Sequence, residues 1–322
     1  MMRFKCAQLA FAVLLSSSVA GFASDAIDDQ YPQSPLYSKP VEVIPHVFSA
    51  IGATAPPKYE NTGHNNNLSF IITGDGVVVI NGGAAYILAK ALHDEIKAKT
   101  DQPVKLVINE NGQGHAMLGN NYWAELGVPI LAHTDAAHEF SETSHSALEN
   151  MKRYNREKSA GTVAQGPTQT FDDKYIVPFG DFPIEVLMLG PAHSPGDVTV
   201  WLPQQKLAIA GDMAFHERML PIFDHTDTAA WIETWDTKFE PLGALYVIPG
   251  HGHPTNMDQV RRYTRDYLVY LRAQIKQLLE DGGDLSKAYY VDQTPYANLD
   301  TYKELATKNA GRVFEQMEFD DF

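Results

Sequence analysis

Twelve histidines are spread through this 322-residue chain. Three of them follow an apolar run and lie in a glycine-bearing loop, where side chains can converge on an open cleft. His115 follows the run Val104 to Ile108, in Asn109-Glu110-Asn111-Gly112-Gln113-Gly114-His115-Ala116. His193 follows Ile184 to Leu189, in Gly190-Pro191-Ala192-His193-Ser194-Pro195-Gly196-Asp197. His251 follows Leu245 to Ile248, in Pro249-Gly250-His251-Gly252-His253-Pro254. Asp212 leaves the run Leu207 to Ala210 in the same manner. Imidazoles with one carboxylate form the donor set of zinc, with iron or manganese as alternatives. Taken singly, each histidine reads as a hydrogen-bonded loop residue; their joint placement points to a metal site.

The segments carrying these residues are distinctive. Gly190 to Asp197 (GPAHSPGD), Ile209 to Asp212 (IAGD) and Pro249 to Gly252 (PGHG) follow one another in that order, after the paired runs ending in Val77 to Gly83 (VVVINGG). Together they resemble the metallo-β-lactamase superfamily of metallohydrolases over about Val41 to Thr255. The resemblance implies a four-layer αββα sandwich with its metal cleft at one edge. It carries over His193 to the first metal, Asp212 to the bridging position and His251 to the second metal. His216 to Phe223 (HERMLPIF), Thr228 to Trp235 (TAAWIETW) and Asn309 to Glu318 (NAGRVFEQME) are similar to exported members known as quinoprotein relay system zinc metallohydrolases.

The sequence departs from the superfamily at its first metal motif. The pattern His-x-His-x-Asp-His meets Asn111-Gly112-Gln113-Gly114-His115-Ala116 here, so both leading histidines become carboxamides. The usual aspartate of the earlier motif is Asn81. Neutral amides bind zinc weakly beside imidazole, which makes a dinuclear pair improbable. His115, Asp212 and His251, joined by His193, are the expected ligands of one ion, zinc first and iron or manganese as alternatives. Three donors with an open water position describe a catalytic zinc site. The resulting reading is a hydrolase of an ester, lactone, thioester or amide carbonyl in a small-molecule substrate. Asp212 and His115 carry the catalytic role, and Asn111, Gln113, His216 and His64 face substrate. The rival reading is a metal-free ligand-binding or accessory protein in the same cleft. No Walker A, Gly-x-Ser-x-Gly or nucleotide fingerprint supports another chemistry.

These loops need a frame. Leu68 to Thr73 and Val77 to Ile80 flank a Gly74-Asp75-Gly76 turn and predict an antiparallel hairpin. Leu88, Ala91, Leu92 and Ile96 recur at helical spacing within Ala85 to Lys99. Further strands are predicted at Val104 to Ile108, Ile130 to Ala132, Ile184 to Leu189, Val198 to Leu202, Leu207 to Ala210 and Leu245 to Ile248. Helices are predicted at Gly119 to Leu126, Thr228 to Phe239, Met257 to Leu279 and Leu299 to Glu315. The stretch Ala136 to Gln165 starts helical and loosens into a polar loop, a lid candidate. Two strand-rich halves with attached helices predict two packed sheets with helices outside.

Composition sets the remaining bounds. With 44% hydrophobic and 20% charged residues the chain is of ordinary globular composition. Twenty-five Lys plus Arg against 40 Asp plus Glu give a net charge of −15. That is the wrong sign for neutralising a phosphate backbone, so nucleic acid is excluded as a natural partner. Arg3 and Lys5, the apolar run Leu9 to Leu15, and small residues ending at Ala20 or Ala23 predict a secretory leader over residues 1–23. A flexible lead-in over 24–40 and a metallo-β-lactamase-like domain over 41–322 with C-terminal helices follow. The expected location is a periplasm or beyond, with no membrane insertion once the leader is removed; oligomeric state is left open. The single cysteine, Cys6, lies in the leader, so thiolate ligands and disulfides are not expected in the processed protein.

Overall fold

Alternating side chains in the strands divide this chain into layers. The computed structural model describes Tyr31 and residues 33–319. The leader expected over residues 1–23 lies outside them, as do residues 24–30 and 32. A seven-stranded sheet comprises β1 (Val41–Ile44), β2 (Val47–Ala50), β3 (Leu68–Ile72), β4 (Val77–Ile80), β5 (Val104–Ile108), β6 (Ile130–His133) and β7 (Gln169–Phe171), paired in that order. A five-stranded sheet holds β8 (Lys174–Ile176), β9 (Glu185–Leu187), β10 (Thr199–Leu202), β11 (Leu207–Phe215) and β12 (Tyr246–His251), in the order β12-β11-β10-β9-β8. The predicted hairpin is β3 and β4, antiparallel with Ser69 opposite Ile80.

Successive residues of a strand face opposite sides, and the packing follows that rule. Val77 and Val79 of β4 pack outward with Phe70, against Leu88, Leu92 and Ile96 of α1 (Tyr86–Lys97). Val78 and Ile80 turn inward and meet Val200, Ile209 and Ile248 of the second sheet. Trp201, Ala208 and Val247 then face the other outer layer, where Trp231, Tyr267, Leu271 and Val313 are buried. The result is the expected four-layer αββα sandwich. Its remaining helices are α2 (Gly114–Met117), α3 (Asn120–Glu125), α4 (Thr134–Asn155), α5 (Thr228–Thr234), α6 (Met257–Tyr263), α7 (Arg265–Glu280), α8 (Leu285–Ala288) and α9 (Tyr302–Met317).

Three expectations change. The single helix predicted over Met257 to Leu279 is two, α6 and α7, because Thr264 leaves helical geometry at φ −116° and ψ −79°. Its hydroxyl accepts from Phe215 N at 2.9 Å and donates to Phe215 O at 3.3 Å, tying the break to β11. The lid candidate is fixed in place instead: α4 buries Ala136, Phe140 and Met151, and a Cβ on Gly196 would lie 2.3 Å from Ala136 N. The described part of the lead-in is packed rather than loose, since Leu36 is buried with the α1 layer and Ser38 Oγ donates to Ile51 O at 2.8 Å. Among the described residues no helix is long and apolar enough to cross a membrane.

Candidate metal centre

The candidate site gathers His115 from the loop after β5 of the first sheet, Asp212 from within β11 and His251 from the end of β12 of the second. After β5, Asn109 fixes the loop: its Nδ2 donates to Ala116 O at 2.8 Å and to Asn120 Oδ1 at 3.0 Å. Asn81, in the left-handed region at φ 70°, accepts from Glu110 N at 3.1 Å and donates to Asn67 O at 3.3 Å. An aspartate there would lack that second, donating contact. The loop then enters the short α2, which aims His115 at Asp212.

Asp212 lies on β11, just past a register irregularity around Gly211. Gly211 has φ 58°, and a Cβ on it would lie 2.2 Å from Glu110 Oε2. Glycine is therefore required both by the backbone and by the buried carboxylate beside it. A Cβ on Gly250 would come within 2.3 Å of Asp212 Oδ1, so β12 approaches by its bare backbone before presenting His251.

His115, Asp212 and His251 each offer one donor atom, and these three atoms all lie within 4.8 Å of one another. His251 Nε2 is 3.3 Å from Asp212 Oδ1, and His115 Nε2 is 3.6 Å from Asp212 Oδ2. A tetrahedral zinc with bonds of about 2.0–2.1 Å sets its donors roughly 3.4 Å apart, and each imidazole nitrogen stands at about that distance from one oxygen of the Asp212 carboxylate. Asp212 Oδ1 is buried without a hydrogen-bond partner among the described residues, a cost that a cation would relieve. His251 Nδ1 contacts the Asn65 carbonyl, the kind of outer contact that holds a ligating imidazole with Nε2 toward a metal when Nδ1 carries the proton. The ring stacks on Phe215 at 5.2 Å and 15°.

Burial sets the protonation of the group. It pushes His251 and His193 down to about 4, which keeps both neutral. It would lower His115 as well, but Asp212 and Glu110 outweigh it and raise that imidazole. Burial works to raise Asp212, yet His251 and His115 hold its carboxyl below the usual carboxylate range.

The other predicted residues divide. His193 stands beside the three donors but not among them. Its Nδ1 is 3.5 Å from Asp212 Oδ2 and 3.2 Å from Gln113 Nε2, while the rings of Phe223, Phe215 and Trp231 lie 5.0, 5.6 and 5.9 Å away. Asn111 donates to Asp212 Oδ2 at 3.2 Å and accepts from Gln113 N at 3.0 Å, so both carboxamides border the cleft. His216 turns toward the next loop, with Nδ1 3.0 Å from His253 O. His64 is fully buried, and its Nδ1 accepts from Tyr37 N at 2.9 Å.

Two residues not singled out from the sequence complete the surroundings. Glu110 Oε1 lies 3.3 Å from His115 Nε2, and burial raises the Glu110 carboxyl. Arg218 is buried, with Nη1 3.2 Å from His251 Nδ1. The signal for Glu110 was its place two residues past β5, next to Asn111; nothing local marked Arg218, which reaches His251 across 33 residues of chain.

Comparison with known proteins bears on this geometry. The family model described as "Metallo-beta-lactamase superfamily" matches residues 117–251, starting just past His115 and including His193, Asp212 and His251. A metallo-beta-lactamase type 2 of Bacteroides fragilis is 25% identical over 185 residues, 56% of this chain and 70% of the relative. A metallo-beta-lactamase structure from Pontibacter korlensis superposes with a TM-score of 0.59 at 21% identity, covering 71% of this chain and 98% of the other. A sec-alkylsulfatase structure from Pseudomonas sp. gives a TM-score of 0.66 at 19% identity over 87% of this chain and 50% of its own. The middle of the chain is thus similar to the metallo-β-lactamase superfamily, and the solved structures share its αββα fold.

Proposed function

We propose that this protein is a metal-dependent hydrolase with one ion, zinc in the first place, at His115, Asp212 and His251, acting on an ester, lactone, thioester or amide carbonyl of a small molecule. The observation that carries this reading is the trio of donor atoms, one from each residue, within 4.8 Å of one another. A bound zinc supplies Lewis acidity toward a carbonyl oxygen and lowers the pKa of its water toward neutrality. The chain's own residues do the positioning: Asn65 orients His251, Asn111 steadies Asp212, and Asp212 with His115 forms the charged heart of the site. The Gln113–His193 pair supports a single ion, because the Nδ1 atom that faces Asp212 also faces an amide.

The basic and then apolar leader supports export, to a periplasm or outside the cell. The segments Thr228 to Trp235 and Asn309 to Glu318 support a place near the quinoprotein relay system zinc metallohydrolases. Expression with zinc, iron and manganese each offered, followed by elemental analysis and a hydrolysis panel of the four carbonyl classes, tests the proposal. About one zinc per chain is expected, with metal and turnover lost together on chelation and in Asp212→Asn. Less than about 0.2 metal per chain under all three conditions overturns it and favours the accessory-protein reading.

A further inference from the structure

Arg218 approaches the donor set without belonging to it. The residue is 7% exposed, its Nε has no hydrogen-bond partner among the described residues, and its Nη1 lies 3.2 Å from His251 Nδ1. The same Nδ1 contacts the Asn65 carbonyl. In a neutral imidazole this nitrogen carries either a proton or a lone pair, so it can serve one of these partners and not both. With the proton on Nδ1, Asn65 O accepts it and the Arg218 N–H loses its acceptor. With the proton on Nε2, Nδ1 accepts from Arg218 and Asn65 O loses its donor. At Nδ1 each tautomer leaves one buried polar group unsatisfied, and the positive charge of Arg218 tips the balance toward the form whose Nδ1 lone pair faces it.

The two tautomers differ in what they present to the cleft. Nε2 lies 3.3 Å from Asp212 Oδ1. A proton on Nε2 takes up the lone pair that a cation beside Asp212 would need; a free lone pair there leaves the position open. The geometry points to Arg218 as a positioning residue that competes with metal binding, by drawing His251 into the Nε2–H tautomer and by placing a fixed positive charge beside the site. With a cation held on Nε2, the proton would reside on Nδ1 and donate to Asn65 O, and the Arg218 guanidinium would lose that acceptor. Arg218 thereby limits the site to tightly held cations. This inference rests on His115, Asp212 and His251 holding a metal.

Nitrogen-15 NMR of the full-length protein, labelled on histidine, reads the tautomer directly, and competition with a chelating indicator reads zinc affinity. In chelated wild type, His251 carries its proton on Nε2, and added zinc shifts it to Nδ1. In Arg218→Met the proton is on Nδ1 before zinc is added, and the zinc Kd falls about tenfold, the scale of outer-contact effects on metal sites. A proton that stays on Nε2 in Arg218→Met, or a Kd within about twofold of wild type, overturns the inference. If Arg218→Met does not fold, Arg218→Gln decides, since it keeps an N–H donor and removes the charge. An intermediate tautomer ratio and Kd are expected from it, and values equal to wild type overturn the inference. Wild type that binds no zinc removes the underlying site instead, so the two failures are distinguishable.

Discussion

Gln113 Nε2 lies 3.2 Å from His193 Nδ1, so a neutral amide–imidazole contact stands where the sequence resemblance would put a first metal ion. Asn111 closes the same side by donating to Asp212 Oδ2. Returning imidazoles to both positions should rebuild that second binding place. The double substitution Asn111→His with Gln113→His is expected to raise zinc from about one to about two per chain by elemental analysis. A folded double variant that still holds one ion would show that the loop, and not the side chains, limits the count.

His193 is expected to matter more for stability than for metal content. Its ring is buried against Phe215, Phe223 and Trp231, and its loss leaves a cavity and an unpaired Gln113 amide. His193→Ala should cost about 2–4 kcal/mol in urea unfolding while keeping about one zinc per chain. Loss of zinc from a variant that remains folded would return His193 to the ligand set.

His64 should give the chelated protein part of its acid sensitivity. Burial lowers this imidazole from 6.5 to about 4. Its folded pKa lies below its unfolded one, so the unfolded chain takes up the proton first. The stabilisation is therefore complete above about pH 6.5 and is lost as pH falls toward 4, to a total of about 3 kcal/mol. His64→Asn keeps an acceptor for Tyr37 N and should flatten the urea midpoint over that window. An unchanged slope would assign the acid sensitivity to other groups.

The helix break at Thr264 should be sensitive to loss of one hydroxyl. Thr264→Val keeps the shape but leaves the buried Phe215 N–H without its acceptor. A loss of about 1–3 kcal/mol is expected. A change below about 0.5 kcal/mol would mean the break does not depend on that bond.

Much of the frame was legible because it is local. The short apolar runs Leu68 to Ile72 and Val77 to Ile80, the turn glycines between them and the spacing of Leu88, Leu92 and Ile96 specify the hairpin and α1 within short windows of chain. The same windows misread Met257 to Leu279 as one helix, since the partner that interrupts it at Thr264 is Phe215, 49 residues earlier. Strands β7 and β8 were not anticipated: each has three residues and is specified by its neighbours in the sheet.

The chain by itself determined which residue types stand at the strand exits, and hence that imidazoles and one carboxylate could gather there. Only tertiary structure decided which of them meet. His115, Asp212 and His251 come from three separate segments, and whether their donor atoms come within coordinating reach depends on the register of β11 against β12 and on the close backbone passage at Gly211 and Gly250. The same packing set His193 beside Gln113 and brought Arg218 against His251. These placements are fixed by close packing of the whole sandwich rather than by any sequence motif.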